Sequence, residues 1–97
     1  MIKRIVKMSF QPDKVDAFLQ WFNQHKEHIR NFEGCMHLEL WRDKKHPNIF
    51  YTYSIWKDEQ SIESYRSSDL FNKVWSFTKQ LFNEKPSAFS ASLEQIV

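Results

Sequence analysis

Apolar positions in this chain change period several times, and each change marks a new element. Over residues 2–10 the period is two. Ile2, Val6, Met8 and Phe10 share one face, interrupted by Arg4, while Lys3, Ile5, Lys7 and Ser9 share the other. Successive strand side chains point to opposite faces, so this pattern predicts a half-buried strand. Pro12 then suits a first helical turn, where its missing N–H costs nothing, and Asp13 and Asp16 suit the positive end of a helix. Val15, Phe18, Leu19, Phe22 and Ile29 recur at helical spacing as one stripe, flanked by Trp21 and Phe32. Gly34, the one glycine of the chain, stands where that helix has to stop and is expected to be its left-handed cap.

The two-residue period returns over 35–42, with Met36, Leu38 and Leu40 set against His37, Glu39 and Trp41. Segment 43–48, containing Pro47, reads as a polar turn. A third strand follows over 49–56, with Ile49, Tyr51, Tyr53 and Ile55 on one face and Phe50, Thr52, Ser54 and Trp56 on the other. Apolar groups stand on both faces, so the pattern leaves open which one meets the helices. Asp58 can cap a short helix that presents Ile62 and Tyr65, and Ser67 or Ser68 can cap a longer one over 69–83. In the latter, Leu70, Phe71, Val74, Trp75, Phe77, Thr78, Leu81 and Phe82 fill one wide sector. Pro86 ends the helical region, and 87–96 alternate Phe89, Ala91 and Leu93 with Ala88, Ser90 and Ser92 as a final strand. This order predicts an α+β fold: a ferredoxin-like βαββααβ unit whose antiparallel four-stranded sheet carries helices on one face only.

A sheet covered on one side leaves the other open. Here that side keeps Ile5, Trp41 and half of the rings of 49–56. Contiguous apolar surface of that kind marks an interaction site. The economical occupant is a second copy, so a homodimer through the open sheet face is expected.

Composition narrows the functional classes. A chain of 97 residues is read as a single domain, 1–97, with 41% hydrophobic and 16% aromatic residues, so rings make up much of its core. Lys plus Arg total 14 against 12 for Asp plus Glu, without the clustered positive excess of a nucleic-acid surface. No run approaches the length of a membrane span, and Met1 leads straight into a strand pattern rather than a signal peptide. Cys35, the one cysteine, can form no internal disulfide, which points to a reduced, cytoplasmic protein.

Several segments together resemble a known family: Asn31-Phe-Glu-Gly-Cys35, His37-Leu-Glu-Leu-Trp-Arg-Asp43, Tyr53-Ser-Ile-Trp-Lys-Asp-Glu-Gln-Ser-Ile62 and Tyr65-Arg-Ser-Ser-Asp-Leu-Phe71. In order and spacing the chain is similar to antibiotic biosynthesis monooxygenase (ABM) domain proteins along nearly its whole length. The resemblance implies a dimeric α+β barrel with a pocket between helices and sheet in each subunit. It also implies oxygenation of aromatic polyketides or quinols without metal or flavin, or heme degradation in another branch. That branch uses an Asn on the first strand and a Trp and a His on the later helices. The matching positions here are Val6, Tyr65 and Trp75, so the iron ligand is missing and heme degradation is not expected.

Oxygenation without a cofactor requires an electron-rich substrate anion, a proton acceptor, and a site that excludes water. His25 falls inside the apolar sector of the first helix and is the candidate base. Tyr65 and Arg4 are candidate anion stabilisers, and Phe22, Phe71, Trp75 and Val6 are candidate walls for a small aromatic or quinol-like substrate. His25 and His28 lack the carboxylate or thiolate that would complete a metal site, so no metal or cofactor is expected. The competing reading is a non-catalytic small-molecule-binding or stress-response protein on the same dimeric barrel.

Overall fold

The computed structural model describes residues 1–97. Its elements are β1 (Ile2–Ser9), α1 (Val15–Arg30), β2 (Cys35–Arg42), β3 (Ile49–Trp56), α2 (Glu59–Arg66), α3 (Asp69–Thr78) and β4 (Ser87–Ala91). The strands form one antiparallel sheet in the order β2-β3-β1-β4, the ferredoxin-like arrangement the periodicity predicts. Register sets the faces. Val6 stands opposite Thr52 and Met8 opposite Phe50, and both pairs lie beneath the helices. The ambiguity of residues 49–56 is thereby resolved: Phe50, Thr52, Ser54 and Trp56 face inward, while Tyr51, Tyr53 and Ile55 stand on the open face with Ile5.

The main core is aromatic. Phe10 is 0% exposed. Its ring stacks on Phe18 at 4.1 Å and meets Phe50 and Phe82 at 5.9 and 5.2 Å. A smaller cluster of Cys35, Trp56 and Ile62 lies under α2, with Phe32 and Tyr65 against it. The indole N–H of Trp56 donates to Ser54 Oγ at 2.9 Å, which lets that ring be buried without an orphaned donor. Trp21 ties α1 to α3 by donating to the Val74 carbonyl at 3.0 Å, and its ring packs on Phe77.

The predicted caps at Asp58 and Ser68 hold: each side chain accepts from a backbone N–H in the first turn of its helix, those of Ser61 and Phe71. Four details depart from the pattern. α1 closes at Asn31, so Gly34 is not its cap; it sits in the turn entering β2, with φ +89°. A Cβ there would overlap the Ser61 side chain, so the site excludes other residues twice over. The pairing of β2 slips between Cys35 and His37, which turns Cys35 inward and leaves Met36 exposed rather than beside Leu38 and Leu40. α3 stops at Thr78 and tightens into a 3₁₀ turn, Lys79–Leu81, because Phe82 and Asn83 are drawn to the end of β1. Phe82 bridges Phe10, and the Asn83 amide donates to the Ser9 carbonyl at 3.0 Å. Finally, β4 ends at Ala91, opposite Lys3, because β1 offers almost no strand beyond that point.

The open face carries an ordered side-chain layer. Trp41 stacks on Tyr53 at 5.0 Å, Glu39 accepts from the Trp41 indole at 2.7 Å and pairs with His37, and Lys3 Nζ donates to the Tyr53 hydroxyl at 2.7 Å. Trp41 and Phe89 are 41% and 61% exposed on this face, which makes it apolar at both edges. No helix is long and apolar enough to cross a membrane.

Candidate functional site

Between the helices and the sheet lies a cavity of about 320 Å³, near the lower end of the roughly 300–1,000 Å³ typical of ligand pockets. Its floor is the inward face of β1 and β3: Arg4, Val6 and Met8 beside Thr52, Ser54 and Trp56. Phe22 of α1 and Phe71 and Trp75 of α3 form the opposite wall, and Tyr65 and Arg66 come from the last turn of α2. The start of β4, with Pro86 and Ala88, lines one side. Helical spacing accounts for the wall: Phe71 and Trp75 are four residues apart, and their rings lie stacked at 5.8 Å. Tyr65 meets Phe71 edge-on at 5.2 Å, and Trp56 lies 5.0 Å from Tyr65 on the other side. These rings brace one another around the space instead of filling it.

The residues expected from the sequence therefore converge, with one exception. Arg4, Val6, Phe22, Tyr65, Phe71 and Trp75 all line the cavity. His25 is buried on α1 but contributes nothing to the wall. Its Nδ1 lies 2.8 Å from the Trp21 carbonyl, one helical turn back, and its ring packs on the Trp21 indole at 4.1 Å. An imidazole so engaged does not reach a ligand in the cavity, and the base role drawn from the sequence has no support in this geometry. Among the wall residues that the sequence does not assign to the site are Thr52, Trp56 and Arg66. Thr52 was hidden by the double-sided pattern of β3, and Trp56 was read only as one of that strand's two faces. Arg66 had one available signal: its place next to Tyr65 at the end of a short amphipathic helix.

The polar side chains of the site are few: Ser54, Thr78 and the indoles of Trp21 and Trp56 are bonded within the protein, while Arg4, Arg66 and Tyr65 are free. Of the chain's four arginines, Arg30 and Arg42 donate to backbone carbonyls, those of Cys35 and Pro47. The side chains of Arg4 and Arg66 have no hydrogen-bond or ion-pair partner in the protein; the one ion pair joins His37 to Glu39. Burial, reinforced by the neighbouring Arg66 charge, pulls the Arg4 guanidinium below the ordinary arginine value, with Glu59 and Tyr65 opposing. The Tyr65 hydroxyl is likewise unpartnered, and burial pushes its phenol far above the ordinary tyrosine value. Tyr65 is thus a hydrogen-bond donor at any physiological pH. No histidine, aspartate or glutamate lines the cavity, and nowhere in the molecule do three such side chains or cysteines gather as metal ligands. Val6, Tyr65 and Trp75, the positions matched to the heme-degrading residues, do share this cavity, but they offer no imidazole to iron.

Known structures of the same shape are diverged in sequence. An antibiotic biosynthesis monooxygenase superposes with a TM-score of 0.91 at 18% identity, over 98% of this chain and 100% of its own. A conserved protein of Methanosarcina mazei Go1 gives 0.90 at 22% identity, over 96% and 92%. A protein of Mycobacterium tuberculosis gives 0.87 at 13% identity, over 99% and 98%. Identities this low establish a shared fold. No curated protein matches the sequence. The family itself is fixed by sequence: the model of antibiotic biosynthesis monooxygenases matches residues 1–74, through every element up to the middle of α3. This chain belongs to the antibiotic biosynthesis monooxygenase family.

Proposed function

We propose that this protein is a cofactor-independent monooxygenase of a small aromatic or quinol-like substrate, bound in the cavity beside Tyr65. The observation that carries the reading is that space itself: aromatic on its walls, open, and supplied with an unpaired guanidinium and an unpaired phenol. Apolar walls exclude water and strengthen the field of Arg4 on any anion within. A phenolic or anthrone-like substrate bound there is acidified by that cation and sheds its proton to water at the open mouth of the cavity. The anion gives an electron to O₂, and the resulting pair of radicals joins to form a C–O bond. The peroxide takes back a proton from water; at a methylene carbon, loss of the remaining C–H proton with cleavage of the O–O bond then leaves one oxygen as a carbonyl and releases the other as water. Arg4 and the Tyr65 hydroxyl stabilise the anion, while Phe22, Phe71, Trp75 and Val6 hold the ring. The open sheet face, with Ile5, Trp41, Tyr53 and Phe89, is proposed as the homodimer interface that completes a barrel. A buried, unpaired Cys35 fits a reducing, cytoplasmic setting.

The test is oxygen uptake with a panel of quinols and anthrones. Catalysed uptake is expected for the wild type. It should fall at least about tenfold in Arg4→Gln, the scale of one lost charged hydrogen bond, and less in Tyr65→Phe. His25→Ala should retain activity in proportion to its folded fraction. One observation favours a second reading, a binding protein without turnover: no carboxylate or imidazole lines the cavity to take a proton. Tight binding of the same compounds with no uptake above the spontaneous rate would establish that reading instead.

A further inference from the structure

Two cations at one apolar cavity need an explanation. Arg4 rises from the floor on β1, and Arg66 comes from the last turn of α2. Neither guanidinium has a partner in the protein, although the chain carries 12 acidic residues. Arg66 lies near enough to depress Arg4, and Glu59, the one carboxylate that acts on Arg4, lies beyond ion-pair distance. Like charges held together beside apolar rings are unfavourable in the empty molecule and become favourable once an anion sits between them. The planar guanidinium fork is matched by a carboxylate, which it can meet with two parallel hydrogen bonds. Thr52 on the floor and Tyr65 from α2 add hydroxyls with no other partner to the same cavity. The remaining wall is aromatic, and the volume suits a small fused ring system rather than a long chain.

We infer that the natural ligand is an aromatic acid, its ring held by Phe22, Phe71 and Trp75 and its carboxylate held by Arg4 and Arg66. The inference rests on the cavity being a ligand pocket, and it adds a permanent negative charge to the substrate class. Arg66 is then a specificity-determining residue at the rim, and Arg4 is its partner within.

The experiment is isothermal titration of the full chain with two probes of nearly equal shape, 2-naphthoate and uncharged 2-naphthalenemethanol. The acid is expected to bind at least about tenfold more tightly, the effect of one charge-assisted contact partly exposed to water. Arg66→Gln, a change at an exposed position, should reduce that preference severalfold, with most of the loss falling on the acid. Arg4→Met should abolish the preference, and Arg4→Lys should restore part of it. Equal affinities in the wild type would overturn the acid inference while leaving the aromatic pocket intact. Preference for the acid that survives both Arg66→Gln and Arg4→Met would overturn it too, since some other group would then read the charge. Failure of both probes to bind at millimolar concentration would remove the pocket reading and the inference with it.

Discussion

Gly34→Ala offers the sharpest test of how the α2 edge of the site is built. Gly34 has φ +89°, where an L side chain costs about 1–2 kcal/mol. An alanine Cβ would also run into both Cβ and Oγ of Ser61, while Ser61 Cα stays at an ordinary 3.6 Å. Rotating the Ser61 hydroxyl cannot clear its own Cβ, so α2 has to move. Overpacking of this kind adds about 1–3 kcal/mol, for a total of about 2–5 kcal/mol. At about 4–8 °C per kcal/mol for a chain this short, the melting temperature should drop by at least about 8 °C. The assay is thermal and urea unfolding at one fixed protein concentration, since self-association would otherwise shift the midpoint. Ser61→Gly removes both overlapping atoms and carries its own helix cost of about 1 kcal/mol. In that background Gly34→Ala should cost less by at least about 1 kcal/mol, a coupling expected of residues in direct contact. Because α2 carries Tyr65 and Arg66, the single variant should also weaken aromatic binding. A Gly34→Ala protein within about 0.5 kcal/mol of wild type, or one whose penalty Ser61→Gly leaves unchanged, would refute the reasoning.

Three further outcomes are expected. Phe10→Ala removes the ring shared by Phe18, Phe50 and Phe82 and should cost about 3–5 kcal/mol in urea unfolding, with an unchanged slope. Burial raises both the Cys35 thiol and the Tyr65 phenol above their unfolded values. The unfolded chain therefore releases those protons first, and stability present below about pH 8.5 should fall as pH rises through about 10 and beyond. Cys35→Ala and Tyr65→Phe should each flatten that alkaline slope in unfolding curves taken from pH 7 to 11. Trp41→Asp places a charge within the proposed interface, so sedimentation equilibrium should show wild type at twice the chain mass and the variant at the mass of one. A monomeric wild type at micromolar concentration would end the dimer proposal.

Much of this architecture can be read along the chain because strand and helix periods are local. The Arg4 interruption of an apolar strand face proved informative, because that face is the cavity floor. Helical spacing likewise brought Phe71 and Trp75 together, and Phe22 onto the facing helix. The His25 reading failed for a reason the helical wheel cannot show. A wheel gives direction about one axis, and the apolar side of α1 is wide enough to meet both the cavity and the α3 packing around Trp21. His25 points to the second, where the carbonyl one turn back takes up its Nδ1. Met36 failed because a one-residue slip against β3 inverts parity, and no alternation pattern records a slip.

By itself the sequence determined the element order, the caps at Asp58 and Ser68, the antiparallel α+β class and the existence of one uncovered sheet face. These follow from local backbone preference and from the need to bury each apolar stripe. Tertiary structure alone decided which parity of β3 turned inward, since both carry rings and only the pairing of Val6 with Thr52 chooses between them. It also decided that the core rings enclose a space, and that Arg4 and Arg66, 62 positions apart in the chain, share it without a countercharge. Unpaired charge is a property of what surrounds a residue in three dimensions, and it is the feature from which the ligand of this protein is now inferred.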